Sequence, residues 1–113
     1  MAILSTGPIE NNPVSGSSPT TVVTMRIVNP DSVNASMIEI AGYVLDGTRT
    51  LYANQIITLM PGEVVSVDYY ANFPAYEFVF TLEDDSEIEV SVWGKSSTGQ
   101  LVDSQRLVTS ELL

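Results

Sequence analysis

The sequence predicts an all-β protein, an antiparallel β-sandwich of about seven or eight strands that is jelly-roll or immunoglobulin-like in type. Apolar and polar residues alternate along most of the chain after residue 20. Turn-forming residues recur roughly every ten to fifteen positions, and no segment has the 3.6-residue apolar period of an amphipathic helix. At 113 residues the chain has the length of one such domain.

The first three sandwich strands are marked by alternation that stops at turn residues. Apolar side chains at alternate positions predict strands over Val23 to Ile27, Ser36 to Leu45 and Thr50 to Met60. The first strand ends at Asn29-Pro30-Asp31, because proline cannot donate to a sheet and its neighbours favour turns. Asp46-Gly47 predicts a tight hairpin between the second and third strands.

Four more strands follow, each after a group of Pro, Gly, Asn, Asp or Ser residues. Pro61-Gly62 fits the centre of a type II turn, since glycine tolerates positive φ, and it precedes a strand from Val65 to Tyr69. The clearest alternation runs from Tyr76 to Glu83, with aromatic residues and a leucine on one face. The same pattern predicts the last two strands over Ile88 to Trp93 and Leu101 to Thr109.

The composition changes near residue 20, and the change predicts two parts. Residues 6–19 have the Pro, Gly and Ser content of a linker, behind a short apolar plug. We therefore predict an N-terminal connector over residues 1–19, a donor segment plus a flexible spacer, and a β-sandwich domain over 20–113. The residues predicted to contact the next subunit, as a strand added to its sheet, are Ala2, Ile3, Leu4, Ser5 and Thr6.

A spacer over residues 6–19 would reach about 45 Å when extended, which is enough to span to a neighbouring domain. The alternatives for this N-terminal segment are a simple tail and a first strand that covers its own sandwich. All three interpretations use the same residues, so they differ in what the apolar plug contacts.

Composition also excludes several kinds of chemistry. The chain has no histidine and no cysteine, which excludes disulfides, thiolate metal sites and imidazole catalysis. Fourteen acidic and four basic residues give a net charge of −10, which opposes binding to nucleic acid and to anionic membranes. The chain shows neither a membrane-spanning run nor a secretory signal pattern. We expect no enzyme activity, no cofactor and no metal.

Three local patterns have both a chemical and a structural interpretation. The acidic run from Glu83 to Glu89 could attract calcium, but it lacks the spacing of a calcium loop, and a solvated turn is favoured. Lys95, the only lysine, could form an isopeptide bond if it were buried, although its place beside a turn predicts exposure. Asn34-Ala35-Ser36 matches the glycosylation sequon, a pattern that is common by chance.

The C-terminal third resembles a known family. Val92-Trp93-Gly94-Lys95, a polar turn ending at Gly99, Leu101-Val102 and Gln105 to Leu112 are similar to small β-sandwich proteins of spore-forming Bacillus-type bacteria. The plan of the whole chain, a jelly-roll domain behind an N-terminal connector, resembles the endospore appendage (Ena-type) pilus subunits. Those subunits carry cysteines that cross-link their connectors, whereas this chain has none.

The resemblance implies a structural, self-assembling subunit of a spore-surface fibre, an endospore appendage or pilus. Such a subunit is made in the mother-cell cytoplasm without a signal peptide, lies in the exosporium or coat and is extracellular after release. It polymerises head to tail into a helical filament by adding its N-terminal strand to the next subunit. The chain is then its own main partner, with a spore-surface anchor protein and a tip adhesin as further partners.

Two other interpretations stay open. The chain could be a non-polymerising component of the exosporium or coat. It could also be a carbohydrate-binding or surface-binding module, because aromatic side chains form the platforms of such sites. The candidate contacts for that module are Tyr52, Tyr69, Tyr70 and Tyr76.

Overall fold

A computed structural model of the chain describes residues 2–11, 19–82, 88–96, 98 and 101–108. Within these residues the secondary structure is entirely β, in nine strands. The strands are β1 (Ala2–Ser5), β2 (Ile9–Glu10), β3 (Val22–Val28), β4 (Ser36–Leu45), β5 (Arg49–Leu59), β6 (Val64–Tyr70), β7 (Ala75–Leu82), β8 (Glu89–Lys95) and β9 (Leu101–Val108).

The strands form two antiparallel sheets, which confirms the predicted all-β sandwich. The first sheet has the order β1-β7-β4-β5, with β2 also paired to β7, and the second has the order β6-β3-β8-β9. All seven strands predicted after residue 20 are present, and their bounds differ from the prediction by no more than two residues. The alternation of side chains was therefore a sufficient guide to the body of the sandwich.

The core lies between the two sheets and is built from the apolar face of each strand. In β7, Tyr76, Phe78, Phe80 and Leu82 are buried while the residues between them are partly exposed. The other main contributions come from alternate residues of β3, β4 and β8: Val23, Met25, Ile27, Ile38, Ile40, Val90 and Val92. This packing of two inward faces is the arrangement that stabilises a β-sandwich.

Two predicted turns are present with the backbone that their glycines require. Gly47 has φ +75° between β4 and β5, and Gly62 has φ +74° between β5 and β6. The amide of Glu63 donates to the carbonyl of Met60 at 3.0 Å, which closes the type II turn that Pro61-Gly62 predicts. The first turn joins the paired strands β4 and β5, and the second leads from the first sheet to β6 in the second sheet.

A buried asparagine lies at each end of the sandwich. We call the end where β3 begins and β7 begins the Asn11 end, and the opposite end, where β3 ends and β4 begins, the Asn29 end. Asn11 is 2% exposed and Asn29 is fully buried. Each side chain donates to three backbone carbonyls, because buried polar groups require partners.

Candidate subunit interface

The N-terminal segment, residues 2–11, lies along β7 at the edge of the first sheet. β1 pairs antiparallel with β7, so that Ala2 lies opposite Leu82 and Ser5 lies opposite Val79. β2 continues along the same strand, with Ile9 opposite Tyr76. In the single chain, the predicted donor segment thus covers the sandwich to which it belongs, which is one of the alternatives that the sequence left open.

β1 contributes one side chain to the core and directs its neighbours outward. Leu4 is fully buried and belongs to the main apolar cluster, opposite Phe80. Ile3, one position earlier, lies on the outer face of the sheet and is 52% exposed. Burial of a leucine side chain of this kind is commonly worth about 2–5 kcal/mol against alanine, so Leu4 is the main apolar anchor of the segment.

A one-residue bulge separates β1 from β2. The chain advances four residues from Ser5 to Ile9, while their partners on β7 advance only three. Gly7 lies within this step and has φ +66°, a conformation that disfavours any residue with a Cβ atom. Because a shift of one residue exchanges the two faces of a strand, the bulge lets Ile9 pack against the core on the same side as Leu4.

Side-chain hydrogen bonds reinforce the bulge. The amide of Thr6 donates to the carbonyl of Phe78 at 3.0 Å, and the amide of Phe78 donates to Thr6 Oγ1 at 3.1 Å. Ser5 Oγ donates to Glu77 Oε2 and accepts from the amide of Gly7, both at 2.9 Å. The two predicted contact residues with hydroxyl groups therefore keep the ladder continuous where regular pairing is interrupted.

Asn11 fastens the far end of the segment to the sandwich. Its Nδ2 donates to the carbonyls of Thr20, Ala71 and Phe73 at 2.8, 3.0 and 3.0 Å. Its Oδ1 accepts from the amide of Thr20 at 2.8 Å, and its own amide donates to the carbonyl of Pro74 at 2.8 Å. A buried side chain with this many bonds fixes the position of the segment, because breaking them would leave buried polar groups unsatisfied.

The strand order explains why an edge is open to this segment. β7 and β8 follow each other in the chain but belong to different sheets, since β8 pairs with β3 and β9. The place beside β7 is therefore filled by the N-terminal segment, which comes from the other end of the chain. Edge strands present unpaired N–H and C=O groups to solvent, and β1 and β2 cover those of β7.

The five residues predicted as subunit contacts all lie in this segment, together with two that the prediction missed. Ile9 and Asn11 fall in the stretch predicted as spacer, yet Ile9 lies in a strand and Asn11 is buried. The odd spacing of Leu4 and Ile9 around Gly7-Pro8 is a signal for a bulged strand that could have found Ile9. Asn11 has no such signal, because its partners lie far away in the sequence.

The tyrosines of the alternative binding site are used mainly inside the molecule. Tyr76 is buried, so it cannot serve as the surface contact that this alternative proposed. Tyr52 Oη donates to the carbonyl of Tyr70, and Tyr69 Oη donates to Gln55 Oε1, both at 2.6 Å. Burial raises the pKa of Tyr52 and of Tyr69 above the ordinary value. Of the four, Tyr70 presents the most exposed ring, at 59%.

The remaining local patterns gain little from the structure. The acidic run lies mostly outside the described residues, which begin again at Ile88. Among the described residues no group of three or more carboxylates, histidines or cysteines could hold a metal ion. Lys95 is partly exposed at the end of β8, which is not the buried setting that an isopeptide bond needs. In the same part of the chain, no helix is long and apolar enough to cross a membrane.

The strand order and the docked N-terminal residues together define a β-sandwich whose first sheet is completed at its edge by an N-terminal segment. No protein-family model matches the chain, and no curated protein matches it. Among solved structures, the crystal structure of Thermotoga maritima 1070 is similar, with a TM-score of 0.52 and 10% sequence identity over 95% of this chain and 90% of that one. At this identity, the likeness concerns the fold alone.

Proposed function

We propose that the protein is a structural subunit that assembles head to tail into a fibre by exchanging its N-terminal segment with the next copy. The observation that carries this proposal is the edge position beside β7, which the N-terminal segment fills from across a linker of Pro, Gly and Ser composition. Because the only covalent connection between the segment and the sandwich is this linker, the segment can occupy the same site on another copy.

Exchange keeps the contacts of the segment while joining two chains. Leu4 fills the same core position and β1 pairs with the same β7 residues whether the two belong to one chain or to two. The free energy difference between the two states therefore lies in the linker and in any new contact between copies, as in domain swapping. Each copy has one donor segment and one acceptor edge, so an oligomer that does not close on itself keeps one of each free at its ends and grows as a filament.

The composition agrees with such a role. A net charge of −10 discourages unspecific association between fibres, so that growth is restricted to the specific strand addition. The proposal extends to a spore surface, to an anchor protein and to a tip adhesin through the family resemblance alone. The alternative of a non-polymerising sandwich keeps one specific observation in its favour, the closed pairing of β1 with its own β7.

Mixed single-cysteine variants distinguish these two states. Ile3 and Thr81 lie opposite each other on the outer face, at the separation that suits a disulfide, and the natural chain has no cysteine. We expect Ile3→Cys and Thr81→Cys chains, unfolded together, refolded and oxidised, to form a disulfide between chains. Ile3→Cys mixed with Ser91→Cys, which lies on the second sheet, is the matched control and should give none.

A second pair of variants tests the anchor. Leu4→Ser places a hydroxyl in the core and should abolish the filaments seen by electron microscopy, whereas Ile3→Ser changes an exposed neighbour by the same chemistry and should leave them. Circular dichroism checks that both variants keep the sandwich. Filaments of unchanged length and number from a folded Leu4→Ser chain, or a monomer from the natural chain at high concentration, would contradict the proposal.

A further inference from the structure

The sequence alone placed the donor segment at residues 2–6, but the docked unit in the structure is longer. β2 and Asn11 are attached to the same strand as β1 but nearer its beginning, at the Asn11 end, through Ile9, Glu10 and the Asn11 hydrogen bonds. If only β1 left its site, β2 and the buried Asn11 bonds would stay in place, and residues 6–8 alone would have to bridge two copies. If the whole segment leaves, no part of it is divided between two copies.

The structure also shows where the moving part must stop. Thr20 packs against Gly94 so closely that a Cβ atom on Gly94 would lie 2.6 Å from Thr20 Oγ1. The amide of Thr21 donates to the carbonyl of Lys95 at 2.8 Å, and the carbonyl of Thr21 accepts from the amide of Ala71 at 2.9 Å. Thr21 is thus held by the backbone of the sandwich itself, and Thr20 packs against Gly94 beside it.

We infer that the unit exchanged between copies is the whole segment 2–11, that Asn11 is its lock, and that only residues 12–19 serve as the connecting linker. This inference rests on the proposed function. The incoming Asn11 amide binds Thr20, Ala71 and Phe73 of the acceptor copy. It thereby recognises Thr20, the residue that directly follows the acceptor's own linker, so that the contact between two copies is completed only on a folded acceptor.

The linker length limits how the copies are arranged. From Asn11 to Thr20 the chain spans at most about 30 Å when fully extended. The molecule measures 49 × 29 × 23 Å along its principal axes. Consecutive copies can therefore be joined side by side, across one of the two shorter dimensions, but not end to end along the longest. Exchange of β1 alone, with Asn11 left on its own copy, would allow only about 14 Å between Ser5 and Ile9.

A second cysteine pair tests the inference separately from the proposed function. Glu10 lies opposite Ala75, as Ile3 lies opposite Thr81, so Glu10→Cys and Ala75→Cys chains are refolded together and oxidised. We expect this mixture to form a disulfide between chains as efficiently as the mixture of Ile3→Cys and Thr81→Cys. Glu10→Cys with Ser66→Cys, on the exposed face of the second sheet, is the matched control.

The outcomes are distinct. A disulfide between chains for both pairs supports exchange of the whole segment. A disulfide for the Ile3 and Thr81 pair without one for the Glu10 and Ala75 pair overturns the inference and leaves strand exchange standing. In that case the chain carrying both Glu10→Cys and Ala75→Cys should close a disulfide within itself. No disulfide between chains for either pair contradicts the proposed function, and with it the inference.

Fibre images give a second measurement. The inference predicts that the distance between Asn11 positions of consecutive copies is roughly 30 Å or less. A distance close to the 49 Å length of the molecule would overturn it.

Discussion

Each end of the sandwich contains one buried asparagine, but the two asparagines join different parts of the molecule. At the Asn29 end, Nδ2 of Asn29 donates to the carbonyls of Asn34, Leu59 and Met60. At the Asn11 end, Nδ2 of Asn11 likewise donates to three carbonyls. Asn29 joins two neighbouring connections of the sandwich body, whereas Asn11 joins the body to a segment that approaches from across a linker.

The backbone around each asparagine sharpens this difference. The amide of Asn29 donates to the carbonyl of Glu63, and its carbonyl accepts from Gly62, both at 3.0 Å. Asn29 therefore joins the loop after β3 to the β-turn between β5 and β6, and it cannot separate from the body without unfolding. The backbone of Asn11 contributes one bond, to Pro74, so that its side chain provides most of the polar attachment. A buried asparagine can thus join parts of one fold or, on the proposed exchange, attach a segment supplied by another copy.

The largest expected effect comes from Asn29→Ala. Removing this amide takes a donor from three carbonyls, of which that of Leu59 is buried, and we expect the free energy of unfolding to fall by about 3 kcal/mol. Asn11→Ala should weaken mainly the docking of segment 2–11, because the stability that it removes cannot exceed the free energy with which that segment docks. Urea denaturation of both variants measures the first effect.

Hydrogen exchange measures the second effect. The amide of Thr6 donates to Phe78, and the amide at position 11 donates to Pro74. In Asn11→Ala, these two amides should exchange at least about ten times faster, while the amides of β3 and β8 change little. If Asn11→Ala unfolded the whole sandwich as readily as Asn29→Ala, the distinction between the body and the docked segment would be wrong.

Glycines with positive φ provide a smaller and closely matched test. Gly7 has φ +66° in the docked segment and Gly47 has φ +75° in the body, and an added Cβ atom would meet no other atom within 4 Å at either position. Alanine should therefore cost about 1–2 kcal/mol at each site through backbone strain alone. Gly47→Ala should lower the midpoint of urea unfolding, whereas Gly7→Ala should chiefly lower the yield of the Ile3 and Thr81 disulfide between chains. Equal yields of this disulfide from Gly7→Ala and Gly47→Ala would show that backbone strain at position 7 does not weaken docking of the segment.

The smallest expected effect is a pH dependence of the Asn29 end. The backbone amides of Val33 and Asn34 donate to Asp31 and, with the Asn34 side chain, lower the pKa of its carboxyl below the ordinary 3.8. A lowered pKa stabilises the folded state above pH 3.8, and this stabilisation is lost as the pH falls through the folded-state pKa. Asp31 is partly exposed and its carboxyl is screened by solvent, so the effect should be slight.

Unfolding curves taken from pH 6 down to about pH 2.5 measure it. The natural chain should lose slightly more stability over this range than Asp31→Asn, whose side chain does not titrate. An identical pH profile for the two chains would show that the Asp31 hydrogen bonds do not stabilise this end.

Sequence patterns predicted the body of the sandwich well and the docked segment only in part. Strands such as β4 and β7 could be predicted because each buries alternate residues over a long run, and Gly47 and Gly62 marked their turns. The apolar plug was also recognised, since Ile3 and Leu4 stand alone ahead of a polar stretch. Alternation and turn glycines were enough to predict the strands and hairpins, because these elements form between residues that are near one another in the sequence.

The sheet order and the extent of the segment depend on distant contacts. That β8 pairs with β3 while β1 takes the place beside β7 follows from how two sheets pack, and no local pattern encodes it. Asn11 is a polar residue in a polar stretch, and its role rests on carbonyls about 60 residues away in the chain. The docked segment therefore continues beyond Thr6 to Asn11, which no local pattern predicted.

The path of the chain between Asn11 and Thr20 in an assembled particle tests the central claim most directly. Electron cryomicroscopy of the full-length protein at a resolution that shows side chains would trace it. We predict that the density leaves Thr20 of one copy and enters the segment docked beside β7 of the next, with Asn11 bound to that copy's Thr20, Ala71 and Phe73. Density that returns from Thr20 to the segment of the same copy, in every subunit of the particle, would contradict the claim.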